Sequence, residues 1–263
     1  MIVATTRDEL AATRKRLPGR VAVVMTMGAL HAGHAALIRA AREQSDSVVV
    51  TVFVNPLQFG AGEDLARYPR TLGADLVLCE AGGADVVFTP TREVVYPSEP
   101  LVRVNAGPIG IVLEGASRPG HFDGMLTVVL KLLHLIEPDV ALFGQKDAQQ
   151  LACIRRMVQD LDVPVAVVAV PTAREPDGLA LSSRNRYLSV PQRRTALVLS
   201  QALTTRDVDA GRALIGDSEA DLDYLERVDS RTFEVTPDGD LLVVAARVGT
   251  TRLIDNLLLT QDR

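Results

Sequence analysis

Five short runs of apolar residues limit this chain more than any other feature: 21–26, 48–54, 85–88, 139–143 and 165–170. A strand with one wet face alternates apolar and polar residues, whereas a strand covered on both faces does not. These runs do not alternate. Helix-like segments separate them, at 35–43, 73–81, 126–136 and 148–161. Strands alternating with helices require crossover connections and parallel pairing. The pattern therefore predicts an α/β, doubly wound parallel-sheet domain over residues 1–173. After Pro171 the texture changes. A polar, glycine-containing loop (172–187) leads into a helix-like stretch at 191–209, then a charged helix over 218–228. A hairpin follows, with 232–236 and 240–248 flanking Pro237-Asp238-Gly239. This predicts a smaller α+β domain over 174–263, read as a lid.

The chain has 263 residues, 47% of them hydrophobic, so a sizeable core is available. A net charge of −5 and the lack of any basic block argue against nucleic acid or a membrane surface as partner. Any phosphate ligand is then small and held by a local site. Cys79 and Cys153 show no metal-ligand spacing and read as core residues in a reducing compartment. Residues 1–10 are too polar for a signal peptide, and no apolar run approaches membrane-spanning length. A cytoplasmic protein is expected.

In doubly wound sheets, ligands sit beyond the carboxyl ends of the strands. The first strand runs into Met27-Gly28-Ala29-Leu30-His31-Ala32-Gly33-His34. That order is strand, glycine turn, two histidines three apart, helix. Residues three apart share a helix face. The first helical turn presents free N–H groups and partial positive charge, which attract phosphate. A packed His34 and a solvated His31 would be the plainer account. The flanking glycines and the buried-type strand favour phosphate.

The second strand ends in Phe53-Val54-Asn55-Pro56-Leu57-Gln58-Phe59. The amides of Asn55 and Gln58 suit a hydroxyl or carboxylate, though Asn-Pro is equally an ordinary strand-ending turn. Gly60-Ala61-Gly62-Glu63-Asp64 and Tyr68-Pro69-Arg70 read as a mobile flap or a plain solvated loop. The fourth strand leads to Gly144-Gln145-Lys146-Asp147 and then Gln149 and Gln150. Gly144 permits close backbone approach, Lys146 offers charge to phosphate, and Asp147 caps the helix or reaches magnesium through water. Gln150 follows one turn later. The loop between the domains contains Leu181-Ser182-Ser183-Arg184, a phosphate clasp with a permanent charge at Arg184, or else a linker with incidental serines. His121, in Gly120-His121-Phe122-Asp123-Gly124, reads as a structural or exposed loop residue.

His-x-Gly-His after a strand, with a Ser/Arg loop far downstream, resembles the signatures of the nucleotidylyltransferase superfamily. The ordered set is similar, more narrowly, to the pantothenate synthetase (pantoate–β-alanine ligase) family. Its pieces are residues 27–34, 53–59, 68–70, 120–124, 143–147 and 182–185, with Arg252-Leu253-Ile254-Asp255-Asn256 also fitting. His-x-Gly-His alone is unspecific; the full ordered set is not.

The resemblance implies a Rossmann-like nucleotidylyltransferase domain with a smaller C-terminal α+β domain. It implies that pantoate attacks the α-phosphate of ATP, with Mg2+ accompanying the phosphates, and that β-alanine then captures the pantoyl adenylate. Met27 to His34, Gly144, Gln145, Lys146, Asp147, Ala173 (by its backbone), Leu181, Ser182, Ser183 and Arg184 would contact ATP. His34 would be the proton donor, and His31, Lys146 and Arg184 would supply charge and donors. Asn55, Gln58 and Gln150 would hold the small substrates, and a homodimer is implied. Two departures stand out. Met25 occupies a position where the family often has Pro. Where family members carry consecutive acids after Tyr-Pro-Arg, this chain has Gly73-Ala74-Asp75, which weakens a direct metal role there. Another nucleotidyl transferase would need a different acceptor site, and a non-catalytic nucleotide-binding module should have lost a charged group.

Overall fold

The structure, a computed structural model, describes residues 1–60, 65 and 68–259. Most of the expected flap, at 61–64 and 66–67, lies outside the described residues. The chain clusters into two compact units. The first comprises 1–143 and 153–170, the second 144–152 and 171–263. The division differs from 1–173 and 174–263 chiefly because 144–152 clusters with the second unit. There Asn256 Nδ2 donates to the carbonyls of Gln145 and Lys146, at 2.9 Å each.

The elements follow chain order: β1 (Ile2–Ala4), α1 (Arg7–Arg14), β2 (Val21–Thr26), α2 (Ala32–Gln44), β3 (Ser47–Val52), α3 (Leu72–Ala81), β4 (Val86–Phe88), α4 (Arg92–Val95), α5 (Glu114–Ser117), α6 (His121–Ile136), β5 (Val140–Gly144), α7 (Ala148–Asp160) and β6 (Ala166–Val170). The six strands form a parallel sheet in the order β1-β4-β3-β2-β5-β6. Val23 pairs with Val49 on one side and Ala141 on the other. Strand β2 is fully buried from Val21 to Val24, as a run without polar alternation requires. Ile38 and Ala41 of α2 and Cys79 of α3 cover it and its neighbours. The sheet order reverses beside β2, the position at which ligands gather on such sheets. The histidine turn leaves the carboxyl end of that strand.

Two elements go beyond the pattern. Strand β1 is three residues long with Ile2 and Val3 exposed at the sheet edge, too short to show a period. Helix α6 starts five residues before the expected 126, so His121 opens a helix instead of lying in a loop. Gly124 disguised that start. A Cβ at Gly124 would stand 2.0 Å from the carbonyl oxygen of Leu57, so only glycine lets α6 pack against that backbone.

The second unit contains α8 (Val190–Thr204), α9 (Val208–Gly216), β7 (Asp221–Val228), β8 (Leu241–Val248) and β9 (Thr251–Leu258). The three strands form an antiparallel sheet. The charged helix expected over 218–228 is therefore strand β7. A bulge between Leu222 and Tyr224 breaks its alternation, so its apolar residues mimic helical spacing. The expected strand at 232–236 forms only an isolated bridge, Val228 to Val235. The Pro-Asp-Gly segment lies in the loop from β7 to β8, and a tight turn at Gly249 (φ +60°) joins β8 to β9. The single helix expected over 191–209 divides where Arg206 turns left-handed and Asp207 caps α9. Leu199, Leu203, Ile215, Leu225, Leu242 and Val244 form the core of this unit.

Leu225 is fully buried in that core. Leu225→Ala should cost about 3 kcal/mol in urea unfolding. Val235→Ala, at a half-exposed position, should cost less than about 0.5 kcal/mol. Equal effects would contradict this packing.

Candidate active site

Helix α2 begins with His31 as its N-cap. Two imidazoles take the place of the usual hydroxyl or carboxylate cap. The His31 backbone N–H donates to His34 Nδ1 at 3.2 Å, and the Gly33 N–H donates to His31 Nδ1 at 3.1 Å. The rings lie 4.2 Å apart between centroids. The N–H groups of His31 and Gly33, expected to be open for phosphate, are thus satisfied from within. The compensation is chemical. A ring whose Nδ1 accepts a backbone N–H carries its neutral-state proton on Nε2. Both histidines are fixed in one tautomer, with Nε2 as the donor.

The turn before this helix is unusual in its backbone. Gly28 (φ +85°) and Ala29 (φ +51°) are both left-handed. Asp75, in the first turn of α3 and 2% exposed, accepts from the N–H groups of Ala29 (3.1 Å) and Leu30 (2.8 Å). Both carboxylate oxygens are therefore occupied by backbone, which disfavours the metal role already weakened by the sequence.

The amides expected to hold a small acid are buried. Asn55 Oδ1 accepts from the Leu57 N–H (3.3 Å) and the Tyr96 hydroxyl (3.0 Å). Asn55 Nδ2 donates to the Gly124 carbonyl (3.0 Å) and to Gln58 Oε1 (3.1 Å). The backbone partners fix which end of Asn55 is which, and Asn55 in turn fixes Gln58. Gln58 must direct its NH2 the other way, where its nearest contact is Met27 Sδ at 3.0 Å. A weakly accepting thioether is readily exchanged for a carboxylate or hydroxyl oxygen. Burial pushes the Tyr96 phenol above its ordinary range, so it remains a hydroxyl. His121 is buried and its Nδ1 lies 2.8 Å from the Gln58 carbonyl. Only a donating Nδ1–H fits a carbonyl, which leaves Nε2 to accept from Arg118 at 3.0 Å. His121 therefore braces the Gln58 backbone, consistent with a structural role.

In the second unit, Lys146, Ser182 and Arg184 line one shallow, solvent-open depression together with Asp255. Lys146 sits in a short 3-10 turn after Gly144, 3.9 Å from Asp147. Ser182 caps the 3-10 turn Ser183–Tyr187, its Oγ accepting from the Arg184 N–H at 3.2 Å. The Ser/Arg segment is thus a built turn. Gly144, Gln145, Asp147, Gln150, Ala173, Leu181 and Ser183 fall outside that lining. The Ala173 carbonyl accepts from Leu181 N–H at 2.9 Å.

Two braces hold this turn, and neither is legible in the local sequence. Arg174 binds the buried Asp255 through both oxygens (2.6 and 2.9 Å). Arg193 of α8 binds Glu175 and Asp177, while Asn185 donates to Glu175 and to the Ala180 carbonyl. Long-range partners of this kind leave no local spacing to read.

A parallel sheet whose central strand runs into His-x-Gly-His defines the class as nucleotidylyltransferase-like. The model of the pantoate–β-alanine ligase family matches residues 2–258, so the chain belongs to that family. It is 54% identical to the pantothenate synthetase of Acidothermus cellulolyticus, over 97% of this chain and 91% of that one. It superposes on the pantothenate synthetase of Thermus thermophilus with TM-score 0.92 at 45% identity, covering 99% and 100% of the two chains. The pantoate–β-alanine ligase of Francisella tularensis, solved with β,γ-ATP and β-alanine, matches with TM-score 0.87 at 35% identity over 98% of each chain.

The Glu175 clasp generates a pH prediction. Hydrogen bonds from Arg193, then from Asn185, hold the Glu175 carboxyl below its ordinary range. A depressed carboxyl stabilises the fold above its unfolded pKa, and that contribution is lost as pH falls through the folded value. Melting temperature should therefore fall between about pH 5 and about pH 3, and Arg193→Met should make that fall shallower. Parallel melting profiles for the two proteins would contradict the clasp.

Proposed function

We propose that this protein joins pantoate to β-alanine in two steps driven by ATP. The pantoate carboxylate attacks the α-phosphate, giving pantoyl adenylate and pyrophosphate. The β-alanine amine then attacks the acyl carbon, giving pantothenate and releasing AMP. What supports this reading is family membership over nearly the whole chain, together with the reciprocal cap that leaves His31 and His34 as Nε2 donors.

Adenylation asks little covalent work of a protein. It needs in-line placement and donors aimed at oxygens where charge grows. His34 serves as the proton donor to the phosphates and His31 as its partner donor. Lys146, on the turn after Gly144, and Arg184, on the turn that Ser182 caps, neutralise phosphate charge. Met27 to Gly33, Gly144, Gln145, Asp147, Ala173, Leu181 and Ser183 shape the nucleotide contacts. Gln58, made a donor by Asn55, receives an oxygen of the small acid, and Gln150 is the further pantoate contact.

Magnesium arrives with ATP in this reading. Among the described residues no group of three His, Cys, Asp or Glu is placed to cage a cation. None is needed, because magnesium prefers phosphate oxygens and water to a full protein cage. Asp147, half-exposed, is the carboxylate of the lysine turn that could meet its water shell.

A cytoplasmic setting fits an ATP-dependent enzyme with two buried, unpaired cysteines. No helix among the described residues is long and apolar enough to cross a membrane. A homodimer, proposed on family grounds, is checked by light scattering of the purified protein.

The test is pyrophosphate release in a rapid-quench assay with ATP and pantoate, without β-alanine. The wild type should give one burst, and His34→Ala should slow it about 100-fold. Lys146→Ala should slow it as well, while both variants keep wild-type melting within a few degrees. Release only with another acid, or an unchanged rate in His34→Ala, would overturn the assignment.

A further inference from the structure

The carboxylate of Asp75 carries one step further. Ala29, 3% exposed, and the part-buried Leu30 both turn their N–H groups toward Asp75. Ala29 also holds a left-handed backbone, which a residue with a Cβ adopts only under constraint. Asp75 answers both N–H groups at once, and its Oδ1 accepts in addition from the Thr71 hydroxyl at 3.1 Å. The acid lies in the first turn of α3, where the helix end favours negative charge. A Cβ on Gly28 would come within 3.1 Å of Asp75 Oδ2, so turn and carboxylate fit closely. The next residue after Leu30 is His31, whose own N–H caps His34 Nδ1.

We infer that Asp75 is a positioning residue: by clamping Ala29 and Leu30 it places the His31 N–H and so sets the tautomer of His34 before substrate arrives. It touches no reacting atom. Asparagine in its place offers one oxygen and turns an NH2 toward an N–H, so one of the two backbone donors loses its acceptor. The turn can then relax, and the His34 imidazole loses its fixed protonation site.

The effect on catalysis rests on the function proposed above, but the effect on the rings does not. Long-range proton–nitrogen NMR of the histidine rings should show both His31 and His34 protonated at Nε2 in the wild type, and His34 as a tautomer mixture in Asp75→Asn. Adenylate formation should fall tenfold to about a hundredfold, while KM for β-alanine stays within about twofold. Asp85→Asn, which weakens a comparable carboxylate-to-backbone bond at Val48, should destabilise the fold yet leave the rings unchanged. Thr71→Val should give a smaller shift of the same sign, and it decides the matter should Asp75→Asn not fold. Unmixed tautomers and an unchanged adenylation rate in either folded variant would overturn the inference. If the wild type releases no pyrophosphate with pantoate, the functional reading fails while the ring spectra still decide the role of Asp75.

Discussion

The cap that His31 and His34 form at the start of α2 is the interaction on which the proposed chemistry depends. A helix start normally leaves N–H groups for an anion or a side-chain oxygen. Here the ring nitrogens take two of them. Backbone attraction for phosphate is exchanged for two oriented imidazole donors. That exchange suits a reaction in which the donor must follow charge as it moves between phosphate oxygens. It also explains why the preceding turn is so tightly held. A cap made by rings tolerates less slack than one made by a hydroxyl, because both the distance and the ring plane must be right.

The same economy recurs in the amide pair. Asn55 has no freedom, since backbone groups at Leu57 and Gly124 assign its two ends. Gln58 inherits that assignment and becomes a donor. In the second unit, Lys146 and Arg184 are carried on short turns braced by Asn256, Arg174 and Arg193. In each case a group proposed to meet substrate is oriented by a neighbouring side chain.

Much of the fold was legible. Strand β2 matches the apolar run at 21–26 residue for residue, because burial on both faces leaves an unmistakable pattern. The histidine turn was legible for the same reason, since it begins where that strand stops. What escaped was local pattern broken by distant packing. The bulge in β7 shifted its alternation toward a helical look, and Gly124 masked the start of α6 because its cause, the Leu57 carbonyl, lies far away in the chain. In the sequence Asp75 stands out only as a lone acid that weakens a metal role. Its real partners are backbone N–H groups 45 and 46 residues earlier, which no side-chain spacing reveals. The residues proposed for ATP were readable as types, but the bracing beneath them was not.

In the proposed reaction pantoate is activated as an adenylate. Pantoate labelled with oxygen-18 in its carboxylate tests this most directly, with ATP and β-alanine present and the products analysed by mass spectrometry. Attack of the carboxylate on the α-phosphate, followed by amide formation, must leave one labelled oxygen on AMP. Label in inorganic phosphate or pyrophosphate, or unlabelled AMP beside newly formed pantothenate, would contradict the account.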